Sequence, residues 1–182
     1  MKFVQIKSTT DSNFDSVLNL YNEAFPVNQR RTDDEFKDVI NSNVNNFYCN
    51  AVLLNDSFVG FFNYWKFDGF IFAEHFAIEE AIRGNKLGEK VMKMIHSTAE
   101  LPLVFEVELP DNEINIRRIE FYRRLQYEIV PIDYLQPPYN KTGFYQELHL
   151  MTNNLEFVLE NYTEIKDTIY DNVYDVKPFS DI

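Results

Sequence analysis

Three consecutive apolar segments, joined by very short turns, constrain the fold of this chain more than any other feature of its sequence. They cover residues 47–54, 58–67 and 70–78, with Asn55-Asp56-Ser57 and Asp68-Gly69 between them. Each segment has the length of a β-strand and is rich in Phe, Tyr, Val and Ile, and such short turns join neighbouring antiparallel strands. The sequence therefore predicts a β-meander.

The segments around this meander predict a mixed α/β fold. Apolar residues at helical spacing predict helices over residues 12–25, 32–41, 86–98, 115–125 and 154–170. Shorter apolar runs predict strands over residues 3–7, 103–109, 127–134 and 144–151. The chain has 182 residues, and single domains commonly have about 100–200 residues. We therefore predict one domain over residues 1–182, with a mixed, largely antiparallel central sheet flanked by helices and a C-terminal helix over residues 154–170.

The bulk composition narrows the classes of partner. A formal net charge of −12 repels phosphate backbones, which argues against a nucleic-acid partner. No apolar run approaches the roughly 20 residues that cross a bilayer, and residues 1–7 are too polar for a secretory signal. The single cysteine, Cys49, excludes an internal disulfide. We predict a cytoplasmic protein with no nucleic-acid partner and no membrane partner.

The histidines and the cysteine do not predict a metal site. His96 and His149 are isolated in the sequence, without a Cys or Asp partner at ligand spacing. His75 follows Glu74 in a predicted strand, so the two side chains are expected to face opposite ways, and His75 is expected to be structural. Cys49 lies in a predicted buried strand and is expected to be a small core residue.

The passage from the strand over residues 70–78 into the next helix is the part of the sequence that indicates chemistry. Arg83-Gly84-Asn85-Lys86-Leu87-Gly88 forms a glycine-bearing loop that opens the helix. Backbone N–H groups at a helix start, together with the helix dipole, bind anions such as a pyrophosphate. Glycine matters here because a side chain would hold the phosphate away from the amides. The sequence predicts an anion site at this loop.

Basic side chains gather around the same loop. Lys86, Lys90 and Lys93 share one helix face, and Arg83 adds to them within an acidic chain. An anionic ligand at the helix start explains this concentration. The alternative interpretation is a capped turn beside a solvated lysine face.

The loop resembles the signature of the GNAT superfamily of acyl-CoA-dependent N-acetyltransferases. Arg83, Gly84, Leu87 and Gly88 fit its Arg-Gly-x-Gly-(Ile/Leu)-Gly form, after a strand and at a helix start. Lys86 stands where the middle glycine is expected. The resemblance implies a GNAT-like fold and a site for the pyrophosphate of acetyl-CoA at this loop.

A second element of the same superfamily follows the strand over residues 103–109. The run from Asn115 to Tyr127 resembles the Asn-x-x-Ala-x-x-(Phe)-Tyr-x-x-x-Gly-(Phe/Tyr) helix, with Arg118 for the alanine and Gln126 for the glycine. Asn115 and Tyr122 are seven residues apart, so both face one side of a helix. The resemblance implies that Tyr122 is the general acid that protonates the leaving thiolate.

The resemblance implies a specific reaction. The chain would transfer the acetyl group of acetyl-CoA, a co-substrate, to the primary amine of a small molecule or peptide by direct attack, without a metal, and a homodimer is left open. The residues implied to bind the cofactor are Phe76, Ala77, Ile78, Arg83, Gly84, Asn85, Lys86, Leu87, Gly88 and Asn115.

The general base is the least determined part of the mechanism. Glu74 lies two residues before Phe76, so it is expected on the same strand face, near the expected thioester, as the catalytic base. The alternative for Glu74 is a solvated or salt-bridged strand carboxylate. Glu106 and Glu108, two residues apart on the strand over residues 103–109, are the reserve candidates for the base or for holding a cationic acceptor.

Two rival functions remain at this point. The first is an acyl-CoA-binding module on the same fold that has lost turnover, which Lys86 in place of glycine favours. The second is an unrelated α/β domain whose loop binds another anion, such as a nucleotide. The loop lacks a Walker Lys-Ser/Thr pair and a full GxGxxG pattern, which argues against the second rival.

Overall fold

The structure is a computed structural model. It describes residues 1–42, 46–84, 86–140 and 143–177. The chain divides into two units, Met1–Glu100 and Leu101–Ile182.

The first unit is built on an antiparallel meander. Its elements are β1 (Lys2–Ile6), α1 (Phe14–Ala24), α2 (Asp33–Asn41), β2 (Phe47–Leu54), β3 (Ser57–Lys66), β4 (Ile71–Ile78) and α3 (Leu87–Thr98), with short 3₁₀ helices at Val27–Gln29 and Glu80–Ile82. The strands pair in the order β1-β2-β3-β4, each antiparallel to the next. The meander predicted from the two short turns is therefore confirmed.

The start of α2 is determined by local sequence. Thr32 accepts a hydrogen bond from the backbone N–H of Glu35, and the Glu35 carboxylate accepts one from the backbone N–H of Thr32 at 2.9 Å. This reciprocal capping box satisfies two N–H groups that the helix itself cannot pair. A cap of this kind contributes about 1 kcal/mol. It fixes the start of the helix directly after Arg31.

The core of the first unit is aromatic. Tyr21 of α1 stacks on Phe36 of α2 with ring centroids 4.4 Å apart, and its edge meets Phe61 of β3. Cys49 of β2 is also buried, 1% exposed, as its predicted core position requires. These contacts hold both N-terminal helices against one face of the meander.

Strand β4 contains a β-bulge at Glu74. Asn63 pairs with His75 and Tyr64 pairs with Ala73, so Glu74 is the extra residue between two paired positions. An extra residue breaks the alternation of side chains along a strand. The two consecutive side chains of Glu74 and His75 consequently lie on the same side of the sheet.

The second unit is centred on its last strand. Its elements are β5 (Leu103–Glu108), α4 (Glu113–Arg123), β6 (Glu128–Ile129), β7 (Tyr134–Gln136), β8 (Gln146–Thr152), α5 (Leu155–Glu160) and α6 (Tyr162–Tyr174). Strand β8 pairs antiparallel with β5 along one edge and with β6 and β7 along the other. This arrangement brings residues of β5 and β7 onto a common sheet.

The strand predicted over residues 127–134 is two short strands. Pro131 lies between them and has no N–H to donate to a sheet partner. The backbone N–H of Ile132 instead donates to the carbonyl of Val130 at 2.9 Å, which turns the chain between β6 and β7.

The helix predicted over residues 154–170 is also divided. Asn161 separates α5 from α6, and its side-chain amide donates to the carbonyl of Phe157 at 2.8 Å. An asparagine side chain that bonds the backbone competes with the helical hydrogen bonds.

Within the described ranges, the helices all lack the length and apolar character that crossing a membrane requires.

Candidate active site

The turn between β4 and α3 has the backbone conformation of a glycine-rich loop. Gly84 has φ +90° and Lys86 has φ +56° with ψ +20°, both in the left-handed region. A Cβ placed on Gly84 would meet no atom within 4 Å, so there is open space beside the turn. Lys86 adopts the conformation that favours glycine. Asn85, predicted to bind the cofactor, lies outside the described residues.

The helix start behind this turn offers backbone donors. The backbone N–H of Lys90 donates to the carbonyl of Lys86 at 3.0 Å, which closes the first turn of α3. The amides of Leu87 and Gly88 precede that bond and have no acceptor within the helix. Leu87 is buried and anchors the helix start. These amides and the helix dipole fit an anion such as a phosphate.

The basic side chains around the turn differ in their contacts. Lys86 and Lys90 are exposed, whereas Lys93 forms an ion pair with Glu89 at 2.6 Å. Arg83 donates through Nε to the carbonyl of Ile78 at 3.0 Å, so its side chain braces the end of β4 against the turn. The predicted basic cluster is therefore partly engaged within the protein.

The strand residues predicted to hold the cofactor arm lie in a tightly paired part of β4. Phe76 and Ala77 pair with residues 62 and 61 of β3, and Ile78 pairs with Gly60. A Cβ on Gly60 would lie 2.3 Å from the carbonyl oxygen of Ala77. Glycine at that position allows the close approach of the two strands. Ala77 and Ile78 are buried, and Phe76 is half-buried.

Glu74 lies in a buried ion pair. Its carboxylate bonds the guanidinium of Arg31 and accepts a hydrogen bond from Nε1 of Trp65 at 2.9 Å, and its side chain is 1% exposed. Burial raises the pKa of Glu74, but the charge of Arg31, the neighbouring His75 and the hydrogen bonds from Arg31 and Trp65 together outweigh this effect. The pKa of Glu74 is therefore below its ordinary value, which favours the ionised form.

His75 is part of the same buried network. Its Nε2 lies 3.1 Å from the carbonyl oxygen of Gln29, and its Nδ1 lies 4.0 Å from the Glu74 carboxylate. Burial lowers the pKa of His75 more than Glu74 raises it. The expectations that His75 faces away from Glu74 and that Glu74 shares a face with Phe76 are both wrong, because the bulge inserts one residue into the alternation.

In the second unit, Tyr122 of α4 packs within an aromatic cluster. Its ring centroid lies 4.6 Å from that of Phe105, 5.1 Å from Phe121 and 6.3 Å from Tyr127. Burial raises the pKa of Tyr122 to about 12. The phenol is therefore protonated at neutral pH and can donate a proton.

Asn115 helps to fix the loop between β5 and α4. Its side-chain amide donates to the carbonyl of Leu109 at 3.1 Å and to the carboxylate of Asp111 at 2.9 Å. Asn112 caps the helix by accepting from the N–H groups of Ile114 and Asn115. Asn115 has these structural bonds in addition to its predicted cofactor contact.

The two reserve carboxylates of β5 have different surroundings. Glu108 forms an ion pair with Arg118, the residue that replaces the alanine of the helix signature. Glu106 is half-buried and accepts hydrogen bonds from the Tyr134 hydroxyl at 2.6 Å and from Nε2 of Gln136 at 2.5 Å. It also accepts one from the Tyr174 hydroxyl at 2.7 Å. None of these three donors was predicted from the sequence.

Comparisons with known proteins identify one family. The sequence model of the acetyltransferase (GNAT) family matches residues 14–127. A protein of Bacteroides thetaiotaomicron that is assigned to the GNAT family of acetyltransferases is 31% identical. Its structure superimposes with a TM-score of 0.92 over 97% of this chain and 100% of that one. None of the curated proteins matches the chain.

More distant structures share the fold alone. An aminoglycoside 6'-N-acetyltransferase in complex with coenzyme A is 16% identical, with a TM-score of 0.59 over 84% of this chain and 96% of its own. The protein yncA of Salmonella typhimurium, solved with acetyl-CoA, is 17% identical, with a TM-score of 0.58 over 86% and 94% of the two chains. Together with the Bacteroides structure they confirm the predicted fold class, a mixed, largely antiparallel α/β sheet flanked by helices.

Proposed function

Because the chain belongs to the acetyltransferase (GNAT) family, we propose that it transfers the acetyl group of acetyl-CoA to a primary amine, which attacks the thioester directly. The observation that carries this proposal is the turn between β4 and α3. Gly84 and Lys86 have left-handed backbone conformations there, and the first-turn amides of a 12-residue helix follow. This geometry fits the pyrophosphate of the donor.

The donor site is proposed at the turn between β4 and α3. Coenzyme A in the aminoglycoside acetyltransferase and acetyl-CoA in yncA support a CoA thioester as the donor. The amides of Leu87 and Gly88 would hold the pyrophosphate, and the open space at Gly84 leaves room for it. The bound donor supplies an activated thioester carbonyl. The residues proposed to hold it are Phe76, Ala77, Ile78, Arg83, Gly84, Asn85, Lys86, Leu87, Gly88 and Asn115.

Three proton transfers accompany the reaction. A lysine-like ammonium has a pKa near 10.4, so the acceptor must lose a proton before it attacks. The attacking nitrogen loses a second proton as the amide forms, and the thiolate gains one as it leaves, so that one proton is released in total. We assign the protonation of the thiolate to Tyr122, whose raised pKa keeps its phenol protonated at neutral pH.

Glu74 has weak support as the base for the first transfer. Its side chain is 1% exposed and engaged with Arg31 and Trp65. A carboxylate that is stabilised in its ionised form by a cation is a poor proton acceptor. These contacts favour a positioning role for Glu74, in which it orders Arg31 and the segment before α2.

The alternative function is an acyl-CoA-binding module without turnover. Lys86 supports this alternative, because its Cβ stands at the left-handed position that glycine occupies in the family signature.

The family match runs from residue 14 to residue 127 and so includes residues of both units, which supports one functional domain over residues 1–182. A cytoplasmic location and a metal-free reaction remain predictions, and the homodimer stays open.

Isothermal titration with acetyl-CoA tests the proposed donor site. We expect binding by the unaltered protein and its loss in the Gly84→Glu variant, because a carboxylate at the turn repels the pyrophosphate. Ser97→Glu is the matched control: it adds the same charge at an exposed position in the last turn of α3. Acetyl-pantetheine, which has no pyrophosphate, should bind much more weakly than acetyl-CoA.

Release of free CoA in the presence of an amine panel then separates the enzyme from the binding module. Amine-dependent release supports the transferase. Binding of acetyl-CoA without turnover on any amine supports the module. If the unaltered protein does not bind acetyl-CoA, or if both glutamate variants bind equally well, the proposed donor site is wrong.

A further inference from the structure

We infer that the side chain of Asn63 in β3 binds a water molecule inside the first unit. Asn63 is 0% exposed, and its side-chain amide presents one acceptor, Oδ1, and two N–H donors on Nδ2. Among the residues that the structure describes, none forms a hydrogen bond with either atom. Asn63 has no part in the proposed acyl transfer, so the inference goes beyond that function and does not depend on it.

An amide in such a position needs a partner for physical reasons. When the chain folds, the amide gives up its hydrogen bonds to bulk water, and burial without replacement bonds costs free energy. Buried polar groups of native proteins accordingly have a partner in nearly every case, either a protein group or an ordered water. Since the described protein groups supply none to Asn63, a bound water is the group that restores these bonds.

The register of the sheet gives the position of the amide. Asn63 is paired with Cys49 of β2 on one side and with His75 of β4 on the other. Side chains of directly paired residues lie on the same face of an antiparallel sheet, with Cβ atoms about 4.5–5.5 Å apart. The ring of Tyr21 in α1 contacts His75 with centroids 4.9 Å apart. Cys49, Asn63 and His75 therefore form a row across the sheet face that α1 covers.

Aromatic side chains enclose this row. Trp65, two residues after Asn63 on the same strand face, is buried and donates its ring N–H to the Glu74 carboxylate at 2.9 Å. Tyr21 is also buried, and its hydroxyl accepts from the backbone N–H of Arg31 at 2.9 Å. The polar atoms of both rings thus bond other residues. The surroundings of the Asn63 amide are aromatic and closed to solvent, which excludes a larger ligand.

The arrangement suits a single water. One water can donate to Oδ1 and accept from the N–H beside it, so Asn63 alone supplies two of the two to four bonds that buried waters make. Cys49 contributes only a short side chain to the row. The bulge at Glu74 also interrupts the ladder between β3 and β4 directly beside Asn63. A short side chain and an interrupted ladder leave more space than a regular row of large side chains.

The bound water would extend the buried polar network of the first unit. On β4, Glu74 bonds Arg31, and Nε2 of His75 lies 3.1 Å from the carbonyl oxygen of Gln29. Asn63 is the residue of β3 that faces this part of β4. A water on its amide adds a polar group on the β3 side of the bulge that orders the segment before α2.

Cross-peaks between water and the protein test the inference on the unaltered, ¹⁵N-labelled full chain. A water that stays bound for nanoseconds or longer gives NOE and ROE cross-peaks of opposite sign, whereas rapidly exchanging surface water gives cross-peaks of the same sign. We expect opposite signs at the Nδ2 protons of Asn63. The absence of these cross-peaks, or cross-peaks of the same sign, would overturn the bound water.

Relaxation dispersion of ¹⁷O supplies a second test, because it reports long-lived waters and is unaffected by protons that exchange from Cys49 or His75. Asn63→Leu keeps the approximate shape of the side chain and removes its polar atoms. We expect this variant to lose the dispersion amplitude of one water.

Asn50→Leu is the matched control. Asn50 is half-buried on the other face of β2 from Cys49, and its Nδ2 donates to the carbonyl of Phe62 at 3.5 Å. The control removes the same amide from the same sheet and should keep the full amplitude. An unchanged amplitude in Asn63→Leu, or equal losses in both variants, contradicts the inference. If Asn63→Leu does not fold, the cross-peaks of the unaltered protein decide, and a failure of acetyl-CoA to bind leaves this result untouched.

Discussion

The Nδ1 atom of His75 lies 4.0 Å from the carboxylate of Glu74, although the two residues are consecutive in β4. Side chains of consecutive strand residues normally face opposite sides of a sheet. The bulge at Glu74 removes that alternation and directs both groups toward Arg31 and the segment before α2. Regular alternation would place the Glu74 carboxylate on the same face of the strand as Phe76. Because of the bulge, this carboxylate instead forms an ion pair with Arg31 inside the first unit.

Removal of the Glu74 charge should destabilise the fold strongly. Glu74→Gln leaves the Arg31 guanidinium buried without its carboxylate, and breaking one partner of a buried ion pair costs about 3–5 kcal/mol. Urea unfolding measures the change in the free energy of unfolding. The control is Glu113→Gln, which breaks the exposed pair with Arg117 and should change stability by less than about 1 kcal/mol. A Glu74→Gln variant as stable as the control would refute the structural role of the pair.

The same network should make the protein sensitive to acid in two steps. Burial lowers the pKa of His75 in the folded state, so its contribution to stability is present above about pH 6.5 and is lost as the pH falls below that value. The pKa of Glu74 is also lowered, so its contribution is present above about pH 4.5 and is lost below it. Both effects have the same sign, and stability should fall as the pH falls.

Urea midpoints between pH 8 and pH 4 measure this dependence. His75→Gln should remove the part of the decline that begins as the pH falls below about 6.5, because glutamine takes up no proton in either state. His149→Gln, in β8 of the second unit, is the control and should keep that part of the decline. Identical pH profiles for the two variants would show that His75 does not carry it.

The left-handed residue before α3 allows a paired test of backbone strain. A non-glycine residue in this conformation costs about 1–2 kcal/mol, and glycine costs about 0.5–1 kcal/mol in backbone entropy. Lys86→Gly should therefore raise the free energy of unfolding by roughly 0.5–1 kcal/mol. Lys90→Gly, at an exposed position inside α3, should lower it by about 1 kcal/mol.

Urea unfolding of the two lysine variants gives the answer directly. Each variant removes one lysine side chain, so a shared effect of charge would move both in the same direction. Opposite signs are expected from the backbone conformations. Destabilisation of similar size in both variants would mean that Lys86 is not strained.

Local sequence signals were sufficient for much of the first unit. The short turns of the meander and the helix that begins after Thr32 depend on residues close together in the chain, and both were predicted correctly. The bulge at Glu74 was missed because it depends on how β4 aligns with β3. Pro131 was visible in the sequence and should have divided the strand predicted over residues 127–134, since it cannot donate to a ladder.

The candidate site shows the same division between local and distant signals. The glycine-bearing turn before α3 was predicted because its residues are contiguous. The donors around Glu106 were missed because Tyr134, Gln136 and Tyr174 lie 28, 30 and 68 residues away in the chain. No local spacing connects such residues, so only the tertiary fold shows that they surround one carboxylate.

Tyr122 allows a specific test of the proposed proton transfer to the thiolate. Tyr122→Phe keeps the ring that packs against Phe105 and removes only the hydroxyl. We expect kcat to fall by about a hundredfold to ten-thousandfold, the range for loss of a general acid, with Tm nearly unchanged. The measurement is the rate of CoA release with an amine that the panel identifies as a substrate.

Tyr127→Phe is the matched control for this variant. Tyr127 belongs to the same aromatic cluster, with its ring 6.3 Å from that of Tyr122, so the control removes a neighbouring hydroxyl and should retain nearly full kcat. The pKa of Tyr122 is about 12, so its deprotonation should not reduce kcat below about pH 11. Equal rates for the two variants would remove Tyr122 from the mechanism, because packing is preserved in both and only the assigned proton donor differs.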